Sequence, residues 1–198
     1  MKIKLAILAS GSGSNAEEIV KYFADNASIE VSLILSNKND AGVLDRAKKL
    51  GIKALSFKVY EMSEGGMLNL LREHNIHFVV LAGFLLKIPE ALIAAYPDRI
   101  FNIHPALLPK FGGKGMYGIH VHEAVLQAGE PKSGITIHLV NEEYDQGRIL
   151  FQGMVDVLPD DTSKALASRV LTLEHKHYAR VIEEYISSIN EGTASMQD

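Results

Sequence analysis

The 198-residue chain contains no cysteine. That excludes disulfides, a thiolate nucleophile, cysteine-ligated zinc and iron–sulfur clusters. It also lacks a basic excess: the formal charge is −4, so it carries no overall nucleic-acid footprint. No apolar run is long enough to span a membrane. The one near the start, Leu5–Ala9, is broken at once by Ser10-Gly11-Ser12-Gly13, too short for the full pattern of a signal peptide. Cytoplasmic location is the resulting expectation. There is no His-Glu-x-x-His pattern, so a metal is not expected, although His120 and His122 stand two apart. Repeats, linkers and low-complexity segments are missing too, and the length suits a single domain with a well-buried core.

What is present reads as alternating strands and helices. Lys4–Ala9, Val31–Ser36 and His77–Ala82 are apolar runs without polar alternation, as parallel strands covered on both faces require. Lys53–Phe57 is a further short strand, and helices are expected over 16–23, 41–50 and 67–72. The simplest winding has strand order 3-2-1-4-5 with right-handed crossovers. Gly134–Val140 and Arg148–Val157 add an antiparallel, hairpin-like extension. A long helix runs from Ser163 to Ile189, capped near Asp161-Thr162, with Leu166, Val170, Leu173, Val181, Tyr185, Ile186 and Ile189 at helical spacing. The expected fold is thus α/β, a three-layer, doubly wound, mostly parallel sheet. One domain divides into a Rossmann-like phosphate-binding half (1–100), a second half (101–189) and a polar tail (190–198).

Two stretches carry chemistry. Ser10-Gly11-Ser12-Gly13-Ser14-Asn15 lies between a strand and a helix. Such a turn presents free N–H groups to an anion, or is a plain tight turn with Ser or Asn capping the helix. It is not a Walker loop, and Ala16 stands where the third glycine of a dinucleotide fingerprint falls. Ser36-Asn37 replaces the acid that holds an NAD ribose, which argues against a nicotinamide oxidoreductase. The second stretch is Phe101-Asn102-Ile103-His104-Pro105. Side chains two apart on a strand share a face, and Pro105 ends the strand. An amide donor and an imidazole therefore sit together at the carboxyl edge of the sheet, where open α/β sheets bind ligands. Gly83 ends the neighbouring strand. Asp145, in the acidic turn 141–147, reads by turn chemistry alone as a solvated turn residue. Lys110–Gly118 is a glycine-rich loop, either a simple connection or a lid.

Asn102-Ile103-His104-Pro105-Ala106-Leu107-Leu108-Pro109 is similar to the N-I-H-P-S-L-L-P segment of the folate-dependent formyltransferases. Gly11–Asn15, Leu81-Ala82-Gly83-Phe84 and Tyr144-Asp145-Gln146-Gly147 occur in the order and spacing of the members that act on glycinamide ribonucleotide, so the resemblance covers nearly the whole chain. It implies transfer of a formyl group from 10-formyltetrahydrofolate, as co-substrate and without a metal, to the amine of glycinamide ribonucleotide in purine biosynthesis. Asn102, His104 and Asp145 are then the catalytic group. Gly11, Ser12, Gly13, Ser14 and Asn15 take the 5′-phosphate, Gly83 helps shape the ribonucleotide site, and Glu174 meets the ribose. Phe84, Leu85, Leu86, Lys87, Ile88, Asn102 and Tyr144 wall the folate. The carboxylate of Asp145 is expected to raise the pKa of His104. The chain departs from the family at Leu85-Leu86, where a Met-Arg pair is frequent, and in its longer 110–118 loop. The partners implied are small molecules, with a monomer or homodimer, and neither nucleic acid nor membrane. A methionyl-tRNA formyltransferase or a formyltetrahydrofolate hydrolase normally carries an additional domain that a single-domain chain lacks. A non-catalytic nucleotide-binding module is the alternative outside enzymes.

Overall fold

The computed structural model describes residues 2–63 and 65–194. Its centre is a seven-stranded sheet of order β3-β2-β1-β4-β5-β6-β7. The strands are β1 (Ile3–Leu8), β2 (Ile29–Ser36), β3 (Ala54–Ser56), β4 (Phe78–Leu81), β5 (Ile100–His104), β6 (Lys132–Leu139) and β7 (Ile149–Asp156). The first five are mutually parallel, and β6 and β7 are antiparallel to their neighbours. This is the expected winding and extension.

The unalternating strands are explained by two apolar layers. On one face Leu5 and Ile7 of β1, Val80 of β4 and Phe101 of β5 pack with helices α1 (Ser14–Phe23), α2 (Gly42–Lys49), α6 (Ile119–Gln127) and α7 (Ser163–Ala194). On the other, Ala6, Leu8, Val79, Leu81 and Ile100 pack against α3 (Val59–Ser63), α4 (Gly66–Glu73) and α5 (Glu90–Ala95). A strand buried on both sides has no place for alternating polar residues. The apolar residues expected along α7 all face this core, Leu173, Tyr185 and Ile189 at its margin. At its start Thr162 Oγ1 accepts from the Ala165 N–H at 3.2 Å, the expected cap. The buried Tyr178 hydroxyl donates to the Leu81 carbonyl at 2.9 Å, tying α7 to β4.

Three differences from the sequence expectation have physical reasons. Helices α3 and α5 were not anticipated. They are five and six residues long, and α5 buries only Leu92, so neither shows a helical period. Strand β6 begins two residues early, at the exposed Lys132, which pairs with Asp156 across the hairpin. Helix α7 continues to Ala194, five residues past Ile189; of the expected tail, residues 195–198 lie outside the described residues.

Between β1 and β4 the chain reverses its direction of travel across the sheet. The carboxyl ends of β1, β4 and β5 open there onto a common cavity, as at other such switch points.

Candidate active site

The cavity has a volume of about 890 Å³. Its walls are the loop after β1 (10–15), the loop after β4 (82–88), the end of β5, part of the 110–118 loop, the β6–β7 turn and one side of α7. Every residue that the family resemblance assigns to the site lies in that wall: Gly11 to Asn15, Gly83 to Ile88, Asn102, His104, Tyr144, Asp145 and Glu174.

Asn102 and His104 face the cavity from β5, as the strand period requires. Strand β6 pairs with β5 so that His138 stands opposite Asn102 and Thr136 opposite His104. Thr136 Oγ1 donates to the Ala106 carbonyl at 2.7 Å and accepts from the Leu108 N–H at 3.0 Å. It thus fixes the path of the chain just past His104. The His138 Nδ1 lies 2.8 Å from the Leu139 carbonyl, so that nitrogen carries the proton. The Nε2 is then free to accept from Asn102 Nδ2 at 3.1 Å. The same amide reaches Asp145 Oδ1 at the longer distance of 3.5 Å.

Asp145 is the point where these groups meet. Its backbone has φ of +56°, a left-handed conformation that Asp tolerates better than most residues. Its Oδ2 accepts from the Gly113 N–H at 2.8 Å and lies 3.7 Å from His104 Nδ1. Its Oδ1 lies 3.7 Å from His138 Nε2. Gly112 makes room for this: a Cβ there would lie 2.5 Å from Leu108 Cδ2 and 3.3 Å from Asp145 Cβ. The 110–118 loop also holds His104, whose Nε2 donates to the Phe111 carbonyl at 2.7 Å. The first half of that loop therefore buttresses two of the three candidate catalytic side chains.

The electrostatics correct one expectation. His104 is 4% exposed. Burial pushes its pKa below the ordinary histidine value; the attraction of Asp145 and the Phe111 carbonyl raise it without overcoming burial, and His138 lowers it further. Asp145 does act in the expected direction, but desolvation is the larger effect. For Asp145 the balance is reversed. Burial pushes its carboxyl up, yet His138, His104 and the Gly113 N–H together bring it below the usual carboxylate range. At neutral pH the pair is a carboxylate beside a neutral imidazole.

At one end of the cavity, Ser10 knits the loops together. Its hydroxyl donates to Asn37 Oδ1 at 2.7 Å and accepts from the Leu85 N–H at 3.0 Å, while its own N–H donates to the Gly83 carbonyl at 3.0 Å. Gly13 initiates α1 with φ of +79° and no side-chain cap, so the alternative of a Ser or Asn cap does not hold. Glu174, from α7, is 8% exposed and accepts from Asn15 Nδ2 at 2.5 Å. Burial pushes its carboxyl up to about 7, against the lowering effect of the Asn15 amide. From the same junction the loop after β4 runs on along the wall, and its Phe84, Leu85, Leu86 and Ile88 form an apolar strip with Ile88 buried. The Lys87 ammonium lies 5.8 Å from the Tyr144 ring centroid, bridging the mouth between two loops.

Two histidines went unrecognised in the sequence. His138 had no local signal, because its role comes from register with β5. His122 was weighed only as a metal partner of His120. On α6 the two diverge: His120 is exposed beside Glu123, whereas His122 is 4% exposed, faces the cavity, and its Nδ1 has no partner among the described residues. Burial pushes its pKa down, and His104 adds to this. Among the described residues no three His, Asp or Glu side chains are grouped to hold a metal ion.

A doubly wound sheet with an Asn, a His and an Asp gathered in one cavity at its switch point has the architecture of an α/β enzyme. The formyl transferase family model matches residues 3–182, and the chain belongs to that family. It is 46% identical over 206 residues to the chloroplastic phosphoribosylglycinamide formyltransferase of Arabidopsis thaliana, covering 98% of this chain and 70% of that protein. To the phosphoribosylglycinamide formyltransferase of Bacillus subtilis it is 35% identical over 195 residues, covering 96% and 97%. The crystal structure of phosphoribosylglycinamide formyltransferase from Streptococcus pneumoniae superposes with a TM-score of 0.83 at 37% identity, covering 94% of this chain and 99% of that one.

Proposed function

We propose that this chain transfers the formyl group of 10-formyltetrahydrofolate to the amine of glycinamide ribonucleotide. The observation that carries the reading is the meeting of Asn102, His104 and Asp145 within 3.7 Å contacts in one cavity. An anion-suited loop and an apolar strip both line it. The ribonucleotide lies with its phosphate at Gly11–Asn15, its ribose at Glu174 and its amine toward the cluster. The folate ring lies along Phe84 to Ile88, with Tyr144 across the mouth.

The amine nitrogen attacks the formyl carbon, and the carbonyl oxygen becomes an oxyanion. Asn102 keeps one N–H on His138; the other, held only by the long contact to Asp145, turns to the oxyanion. His104 is neutral before reaction, with its Nε2–H on Phe111. The proton that the attacking amine releases, taken up at Nδ1 by way of the adjacent Asp145, makes it a second donor, and the developing negative charge favours that protonation. Asp145, ionised at neutral pH, accepts the proton released by the attacking amine, directly or through water. The proton then passes to folate N10 as the C–N10 bond breaks, giving the formamide and tetrahydrofolate. No covalent intermediate is required.

The test is an absorbance assay with glycinamide ribonucleotide and 10-formyl-5,8-dideazafolate or 10-formyltetrahydrofolate. The expected result is saturable turnover in both substrates. Formylation of methionyl-tRNA without turnover of the ribonucleotide, or binding of NAD in place of folate, overturns the reading.

A further inference from the structure

The loop proposed to hold phosphate is tied from behind by residues of α2. The Val43 N–H donates to the Gly11 carbonyl at 3.1 Å. The Arg46 Nε donates to the Ser12 carbonyl at 2.8 Å. Gly13 lies so close to Val43 that a Cβ would fall 2.5 Å from Val43 Cγ2. Two successive carbonyls are thus drawn away from the cavity. A peptide carbonyl turned one way turns the N–H of the same peptide plane the other way, so the Ser12 and Gly13 amides face the cavity side. Neither N–H has an acceptor among the described residues.

A second feature opposes anion binding. Glu17 sits in the first turn of α1, one turn behind the loop. A carboxylate there stabilises an isolated helix, but it repels a phosphate dianion bound at the same terminus. Two cations answer it: Lys21 Nζ at 2.8 Å from one Glu17 oxygen, and the Arg46 guanidinium on the other. Arg46 is the one residue that serves both tasks, and it does not line the cavity.

We propose that Arg46 is a positioning residue for the phosphate of the ribonucleotide. It aims the loop amides by holding the Ser12 carbonyl and cancels the charge of Glu17 beside the bound anion. The proposal rests on the functional reading above and extends it to a side chain that never touches substrate.

The experiment measures steady-state constants and inhibition by ribose 5-phosphate for the wild type, Arg46→Ala, Arg46→Gln, Glu17→Gln and the double variant Arg46→Ala/Glu17→Gln. Arg46→Ala is expected to raise the KM for ribonucleotide and the Ki for ribose 5-phosphate on the order of tenfold. The KM for folate and kcat stay near their wild-type values. Arg46→Gln retains a donor for Ser12 and loses the charge, so it falls between the two. Adding Glu17→Gln to Arg46→Ala recovers part of the loss in the ribonucleotide KM and the ribose 5-phosphate Ki, whereas a merely structural role shifts the two KM values alike. Wild-type inhibition by ribose 5-phosphate that is unchanged in Arg46→Ala, or equal changes in both KM values, overturns the role of Arg46 alone. A wild type turning over ribonucleotide but indifferent to ribose 5-phosphate overturns the phosphate placement with it. A wild type with no ribonucleotide turnover refutes the functional reading itself.

Discussion

Replacing Glu174 by Gln should make this protein more stable at alkaline pH while impairing its use of ribonucleotide. Glu174 is held at a pKa of about 7, against an ordinary 4.5, because burial disfavours its charged form. Between those two values the native state keeps a proton that the unfolded chain has lost. Stability therefore falls as pH rises through that window and levels off above about pH 7. At roughly 1.4 kcal/mol per pH unit the full loss is about 3 kcal/mol, of which between about 2 and 3 kcal/mol falls between pH 5 and pH 8. A buried carboxyl is little screened by solvent, so the shift passes into stability without a screening discount. Gln is nearly isosteric, and its carbonyl oxygen still accepts from the Asn15 amide, but it does not titrate. Urea denaturation of both proteins at pH 5 and pH 8 tests this. With an m-value of roughly 2–3 kcal/mol/M, the Gln variant should gain about 1 M in midpoint over the wild type on going from pH 5 to pH 8. Histidines and other carboxylates titrate equally in both proteins and cancel in the comparison. Parallel pH dependence in the two proteins refutes the reasoning. The cost should be seen in a raised KM for the ribonucleotide, since a site kept at the expense of stability is a mark of function.

The remaining predictions are simpler. His104→Ala and Asp145→Asn should each keep the near-native circular dichroism spectrum and lower kcat/KM for formyl transfer at least about a hundredfold; near-normal turnover by either purified variant refutes the mechanism. Tyr178→Phe should lower stability by about 1–2 kcal/mol in a denaturant titration, from the lost bond to the Leu81 carbonyl. Gly134→Ala should destabilise severely, by roughly 3 kcal/mol or more, because its Cβ would collide with the Gly153 carbonyl oxygen of the paired strand; a melting temperature close to wild type contradicts that placement.

Much of the fold follows from short-range pattern. Leu5–Ala9 and His77–Ala82 announce parallel strands because burial on two faces forbids polar alternation, and strand order 3-2-1-4-5 then follows from handed crossovers. Helices α3 and α5 escaped because each is about as short as one and a half turns and buries too little to leave a period. Asn102 and His104 were recognisable as a pair, since strand geometry alone puts them on one face. Asp145 was different. By turn chemistry it reads as solvated, and only the family resemblance pointed to it.

The local sequence determined where strands stop, which loops carry glycine and which two side chains share the end of β5, because those depend on neighbours within a few residues. Tertiary structure alone decided that His138 stands opposite Asn102, that the 110–118 loop grips His104 and Asp145, and that Arg46 braces the Ser12 carbonyl. It also decided the charge state of the centre. The family resemblance implies a carboxylate that attracts a proton to His104, but the burial that outweighs this attraction comes from side chains distant along the chain. Desolvation is set by everything packed around a group, and no run of residues carries that information by itself.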